Sequence, residues 1–571
     1  MRVILSVLHF ANLRNYESVV VALAENGHDV HLLAEETETF GGQALAERLA
    51  ASYPRVTWGY APTSAAEAWA PFAQKVRFGL DYVRFLAARY ADVPKLRMRN
   101  VERAPRLVRW LSTGLGGTVV GHARTARLLM WLERRMPRHQ ALEEFLASQR
   151  PDVLLLTALT FSRSTQIEQL KAAKALGIRT AACILSWDHL SSKAPIHLAP
   201  DLTVVWNDVQ RREAVDMHGL PESRVVVTGA QCYDQWFGRR PTRTREEFCA
   251  AVGLDPARRI VLYVCSTMSP VPTPVEPVFV RDWVSGLRRC AHAELRDASV
   301  LVRPHPERVR EWNDVSLDGL EHVVLHGRAP IDVDAKADYF DSLYYSDAVV
   351  GLCTSAFLEA AIVGRPVLTL LKPEYRIHQD GMTHFRYLLT VGGGLLHTAS
   401  GLDDHFAQLA EAVRGQGARD ARNQAFLSAF VRPFGLDVPS TPAFTQAIEA
   451  LAAEPPPAPQ PAFANHGATE RWIGRVASAT RSGLGYWLMR DVFDEAHEHV
   501  EDDAARRKRE IVAMRDHERQ MKAERTTQAL KDKARQRRSK ALTRLRRSVN
   551  PSKRMHKLTR SVRHLIAPRS S

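Results

Sequence analysis

The sequence predicts an α/β protein made of two doubly wound parallel-sheet halves, with a helical insertion in the first half and a basic tail after the second. Three observations predict it. Short apolar runs rich in Val, Ile and Leu recur, each followed by an amphipathic segment of helix length, which is the rhythm of βαβ units. That rhythm runs through residues 1–238, broken at about 74–140 by an aromatic and basic helical stretch, and starts afresh over 239–435. Finally, 571 residues with 45% hydrophobic content can bury two or three cores, and exclude one small domain.

In the first half, RVILSVLH (2–9) is a strand. The polar loop FANLRNY follows, then an amphipathic helix from about Glu17 to Asn26 and a strand from Asp29 to Leu33 entered through Gly27. Ligands of open parallel sheets collect beyond the strands' C-terminal ends, so His9 stands at a position open to chemistry, although a lone histidine at a strand end is more often structural or solvated. From Gln74 to about Trp110 ten Lys and Arg face three acids, and Phe78, Tyr82, Phe85, Leu86 and Tyr90 form a stripe along one expected helix. The stripe suits either a core-packed helical layer or a surface that approaches anionic lipid or a lipid-linked pyrophosphate. The α/β rhythm then returns with PDVLLLTAL, SRSTQIEQLKAAKALG and IRTAACILSW, followed by the loop DHLSSKAP, the strand DLTVVWN, a helix to His218, and RVVVTGAQCYDQWF. Asp188, His189 and Lys193 place an acid, an imidazole and an ammonium within six residues past a strand end. That set suits proton transfer or phosphate contact, or else a solvated turn capped by Asp188.

The second half opens on the strand RRIVLYVCST, a proline-laden loop and a helix around Phe279 to Ala293. In SVLVRPHPERV, Arg303 and His305 leave a buried strand between Pro304 and Pro306, which fix the backbone at the sheet edge. An Arg and a His held so suit a diphosphate or the carboxylate of an acidic sugar. The strand EHVVLHG and the helix DYFDSLYYS lead to DAVVGLCTSAFLEAAIVGRPVLTLL (347–371): a strand, the polar turn Cys353 to Ser355, a short helix from Ala356 to Val363, a Gly–Arg–Pro stop and a further strand. A turn of this kind aims helix N-terminal N–H groups past the strand edge and makes Thr354 and Ser355 anion-site candidates, unless Ser355 only caps its helix. Glu359 lies four residues after Ser355, where a capping box wants three. A carboxylate one turn in from a phosphate cradle reaches a ribose diol. The loop KPEYRIHQDGMTHFRYLL adds His384 as a donor-side group, and GGG at 392–394 reads as a turn between short strands because it lacks dinucleotide spacing.

Residues 436–464 are a closing helix and the proline-rich linker EPPPAPQPAFA, and 465–571 a helical segment and basic tail. The formal net charge of +15 is located there: residues 501–571 carry 23 Lys and Arg against 8 Asp and Glu, whereas residues 1–500 balance at 55 against 55. Composition therefore gives no reason for the core to bind nucleic acid. LTRSVRHLI sets Leu558, Val562, Leu565 and Ile566 at helical spacing for an anionic membrane surface, and the scarcity of aromatics in the tail disfavours single-stranded nucleic acid. Six scattered cysteines without CxxC pairing fit a reducing compartment. No apolar run reaches the ~20 residues of a membrane span, and MRVILSVLHF is too short and too soon polar for a secretion signal. The expectation is a cytoplasmic protein, peripheral at the inner membrane face.

TSAFLEAAIVGRPVL resembles the nucleotide-binding segment in the C-terminal half of GT-B glycosyltransferases and of the UDP-GlcNAc 2-epimerases that share their fold. SWDHLSSK, VWN and VVVTGAQCYDQWF together resemble the end of the N-terminal domain in bacterial GT-B-like surface-polysaccharide enzymes. The His305–Pro306 pair is similar to a motif of CDP-glycerol glycerophosphotransferases, bacterial polysialyltransferases and capsule Kdo transferases. The resemblance covers roughly residues 1–435. It implies two Rossmann-like domains, with the acceptor on the first and the nucleotide donor on the second. The activity implied is glycosyl transfer from a nucleotide-sugar to a glycan or lipid-linked acceptor, building cell-surface polysaccharide or glycolipid. Inversion without a metal or other cofactor is expected. His9, Asp188 and His189 are the candidates for the acceptor base; Arg303, His305, Thr354 and Ser355 would stabilise the leaving diphosphate, with Glu359 on the ribose and His384 nearby. Retaining relatives with two glutamates eight apart would need an acid where this chain has Gly351. A CDP- or CMP-donor transferase, a UDP-sugar 2-epimerase, and an inactive scaffold whose basic tail binds membrane or nucleic acid stay open as alternatives.

Overall fold

In the computed structural model, which describes residues 1–37, 41–62, 67–113, 119–268, 275–330, 332–415, 421–460 and 467–491, every strand pair is parallel. The first sheet holds β1 (Arg2–His9), β2 (Asp29–Glu36), β3 (Val56–Tyr60), β4 (Val153–Leu156), β5 (Arg179–Cys183), β6 (Leu202–Val205) and β7 (Val225–Val227). Their order is β3-β2-β1-β4-β5-β6-β7. The second holds β8 (Ile260–Val264), β9 (Ser299–Arg303), β10 (Val323–Leu325), β11 (Ala348–Val350), β12 (Val367–Leu370) and β13 (His397–Ala399), ordered β10-β9-β8-β11-β12-β13. Both orders reverse direction beside their first strand, between β1 and β4 and between β8 and β11. Such a switch point opens a crevice past the strand ends. Helices cover both faces, which is why VLLL and IVLYV are uninterrupted apolar runs and why VLTL, with its one threonine, is fully buried as well.

Two elements had no clear sequence signal, the edge strand β3 and the helix Gly42–Ser52 before it. Only Val56 of β3 is buried, so its apolar pattern is faint.

The insertion between β3 and β4 is helical as expected, but the aromatic stripe expected on one helix is divided. The helix Ala70–Phe85 stops at Phe85, and Leu86 and Tyr90 lie beyond it. Pro94 opens the next helix, Pro94–Arg103, and Pro105 precedes Arg106–Thr113; proline lacks the donor that a continuous helix needs there. The aromatic stripe is core: Phe78, Tyr82, Phe85 and Tyr90 are all buried. Arg77 joins this layer to the helix Gln166–Leu176, donating two bonds of 3.0 Å to buried Glu133 and a further bond to Glu168, while Lys171 Nζ lies 2.6 Å from Glu133.

The triple glycine forms a 3₁₀ turn with φ of 59°, 87° and 88°. It links the helix Thr383–Thr390 to β13 rather than two strands.

After the second sheet the chain returns to the first. Val431 O accepts from Ala230 N at 2.9 Å, so the outgoing and returning segments touch. The helix Ser440–Ala453 then buries Phe444, Ile448 and Leu451 in the core around β1 and β2. Asp234 clamps this crossing, accepting from Arg432 Nη2 and Ser440 N at 2.9 Å and from Thr441 N and Oγ1 at 2.7 Å. The proline-rich stretch is packed too, with Gln460 N donating to Lys174 O at 2.9 Å.

Candidate functional site

A cavity of about 450 Å³ lies between the C-terminal edges of the two sheets. Its first wall comes from the loop after β1 (His9, Asn12, Arg14) and the segment after β5 (Ser186, His189). Its second comes from the ends of β8 and β9 (Cys265, Arg303, His305), the loop after β10 (Arg328) and the turn after β11 (Thr354, Ser355, Glu359). Both switch points therefore open into one space. Trp236 and Tyr339, with ring centroids 5.7 Å apart, add an aromatic side.

Seven of the nine sequence-predicted residues line this cavity: His9, His189, Arg303, His305, Thr354, Ser355 and Glu359. Asp188 and His384 do not. Asp188 precedes the short helix His189–Ser192 and accepts from Ser192 Oγ at 3.0 Å. Although burial opposes its ionisation, His189 and Lys193 hold the carboxyl well below the usual range. His384, expected on a loop, sits on the helix Thr383–Thr390, buried edge-on to Trp187 at 4.9 Å. Burial lowers its pKa to about 4, so it is neutral near pH 7.

Within the cavity the roles divide. Arg303 is buried, and its Nη1 donates to Asp338 at 2.8 Å and to Ser342 Oγ at 2.7 Å, with the guanidinium over the Tyr339 ring. This arginine forms the floor, held by Asp338 and Ser342, and is not a freely presented cation. His305 Nδ1 accepts from Glu307 N at 3.3 Å, leaving Nε2 for a ligand; burial lowers its pKa. Ser355 has helical φ and ψ of −66° and −20° and does not cap; Thr354 Oγ1 accepts from Ala356 N at 3.3 Å instead. The helix Ala356–Ile362 has seven residues, so its dipole offers little by itself and the basic side chains dominate the field.

Glu359 accepts a hydrogen bond from Tyr339 Oη. Burial pushes its pKa up to about 7, against the pull of that bond and of the Arg14 charge. His189 is held neutral by burial, with a pKa near 4, and its Nδ1 has no partner among the described residues.

Arg14 was not singled out from the sequence. It is exposed, has no hydrogen-bond or ion-pair partner among the described residues, and acts electrostatically on both Glu359 and His305. Its signal was available, since FANLRNY directly follows β1 at a switch point. Lys336 was missed as well; its Nζ meets Glu17 at 3.0 Å and ties the two walls together.

Gly351 has its own physical reason. A Cβ there would lie 2.8 Å from Val264 O and 3.0 Å from the Phe357 ring, so no carboxylate fits eight residues before Glu359.

Two doubly wound parallel sheets share a cleft between their C-terminal edges, and the final helix crosses back onto the first sheet. The architecture is GT-B-like. No family model matches the chain, and no curated protein matches it. Among solved structures, the GT-B-like chain is similar to UDP-GlcNAc 2-epimerase from Methanocaldococcus jannaschii, with 13% identity, a TM-score of 0.45, and coverage of 79% of this chain and 99% of that one. It is also similar to a glycosyltransferase from Rickettsia africae, with 10% identity, a TM-score of 0.47, and coverage of 80% and 99%. A UDP-GlcNAc 2-epimerase from Neisseria meningitidis, solved bound to UDP-GlcNAc, gives 11% identity, a TM-score of 0.46, and coverage of 79% and 100%.

Proposed function

We propose that the protein is a nucleotide-sugar glycosyltransferase, inverting and metal-independent, that builds cell-surface polysaccharide or glycolipid. The observation that carries this reading is the pairing across one cleft of an unpartnered cation, Arg14, with the raised carboxyl Glu359. A nucleoside diphosphate matches that pair. Its ribose diol donates to Glu359, which is largely ionised once a diol donates to it, and its phosphates fall to Arg14, His305 Nε2 and Thr354. Trp236 and Tyr339 offer apolar faces to the base.

Loss of the diphosphate from the sugar is helped by positive charge fixed before reaction, which stabilises developing negative charge without reorganisation. His9 is the candidate base for the acceptor hydroxyl, being the lining histidine at the end of β1. His189, kept neutral, serves better as a hydrogen-bond partner to the sugar than as a strong base. The crowding at Gly351 favours inversion, because it removes the position of a second glutamate.

The test is a thermal-shift series with UDP, GDP, CDP and CMP on wild type, Arg14→Ala and Glu359→Ala. One nucleotide should stabilise the wild type by mass action and both variants much less. No response to any of the four would overturn the reading. If a nucleotide binds, His9→Ala should abolish transfer while leaving that binding intact.

A further inference from the structure

Outside the cleft, whose lining includes none of them, four helices carry the protein's exposed tryptophans. They are Arg106–Thr113 and Val119–Arg134 of the insertion, and Gly467–Ala479 and Gly483–Met489 near the end of the described chain. They form one packed unit: Ile473 and Ala477 are buried with Val108 and Leu129, and Arg106 N donates to Arg490 O at 2.9 Å. Trp110 is 55% exposed, Trp487 50%, Trp472 46%, Trp131 40% and Leu484 72%. No other tryptophan among the described residues is exposed, and half of all the exposed large apolar side chains are on these helices.

These side chains are arranged with arginine. The Arg106 guanidinium lies 4.9 Å from the Trp487 ring centroid and that of Arg135 4.5 Å from Trp131, whose ring meets Trp472 edge-on at 6.0 Å. The four helices carry seven arginines against two glutamates. One of the two, Glu133, is buried and neutralised by Arg77 and Lys171. Arg124, Arg127 and Arg134, on the same helix as Trp131, are exposed.

We infer that this tryptophan and arginine platform docks the protein on an anionic lipid surface. Indole rings favour the headgroup level of a bilayer, where an apolar body and a polar N–H are both satisfied. Arginines among them meet lipid phosphates, and their stems cover apolar surface while the charged heads reach out. A protein partner would be expected to balance the patch with acidic and basic groups of its own, whereas an anionic bilayer needs only positive charge and apolar reach. The inference stands apart from the nucleotide reading, since neither the platform nor its test involves the cleft.

The test is flotation of the full-length protein with vesicles of phosphatidylcholine alone and of phosphatidylcholine mixed with phosphatidylglycerol. Wild type, the double variant Trp110→Ala/Trp487→Ala and the double variant Arg124→Glu/Arg127→Glu are compared at low and high salt, with analytical ultracentrifugation of each. Wild type should float with the mixed vesicles, less so in high salt. Each double variant should weaken that partition by about tenfold or more while keeping the thermal midpoint. Should one double variant fail to fold, the other carries the test. Flotation of both variants equal to wild type would overturn the inference, because binding would then reside elsewhere, as in the basic tail. A dimer that the tryptophan variant dissociates, with no vesicle binding, would overturn it too, making the face a contact between copies.

Discussion

Glu359→Gln isolates one titrating group in the cleft. The variant keeps an acceptor for Tyr339 Oη, the hydrogen bond that the carboxyl accepts in the wild type. In the folded protein burial raises the Glu359 pKa from 4.5 to about 7. Below pH 4.5 the group is protonated in both folded and unfolded chains, and the two proteins should differ little. As pH rises, the unfolded chain ionises first, so the wild type loses stability relative to the variant until the folded carboxyl also ionises near pH 7. At about 1.4 kcal/mol per unit, the full shift is worth about 3 kcal/mol at most, and partial opening to the cleft reduces this toward about 2 kcal/mol. Glu35, Glu213 and Glu276 are also pushed to about 7, so only the difference between variant and wild type reports on Glu359. The assay is thermal unfolding of both proteins at half-unit steps from pH 4 to pH 8.5 without ligand. The variant should gain on the wild type between pH 4.5 and 7 and hold that gain above. A difference that stays flat across the range would refute the burial argument.

Arg14→Ala should weaken binding of the preferred nucleoside diphosphate by about 10- to 100-fold, the value of a charge-assisted hydrogen bond, with an unchanged ligand-free melting point; calorimetric titration checks the first and a thermal scan the second. Gly351→Ala should destabilise by about 1–3 kcal/mol, because its Cβ meets a backbone carbonyl that cannot withdraw, which denaturant unfolding measures. Asp234→Ala leaves Arg432 and three further donors without their acceptor and should cost about 3–5 kcal/mol, with faster amide exchange across Ser440–Ala453.

The sequence made the β-strands and their parallel pairing legible because strands buried on both faces are apolar throughout, as in VLLL and IVLYV. β3 escaped notice for the opposite reason, being an edge strand with one buried residue. Residues of the site were readable where a strand end or a proline pair fixed their place, as for His9, Arg303, His305 and Glu359. The environment of each was not readable. That Arg303 spends a nitrogen on Asp338, 35 positions away, depends on how the helix Val333–Tyr345 lies beside β9. His384 was misplaced because its loop became a helix facing Trp187, a tertiary contact with no local signal. The insertion's inner stripe was visible as helical periodicity, but its outer tryptophans gain meaning only from the helices near residue 480 that join them.

Asp234 and the paired crossings beside it also bear on how the molecule can move. Two covalent segments pass between the halves at nearly one point, sewn together by Ala230 N and Val431 O and pinned by a single carboxylate. Such a seam acts as a pivot: sliding or twisting of the halves past each other would have to break it, and the buried core that the halves share holds them together beside it. Opening the cleft must then also part the ion pairs that join the halves outside the seam, Lys336 with Glu17 and Arg386 with Asp92.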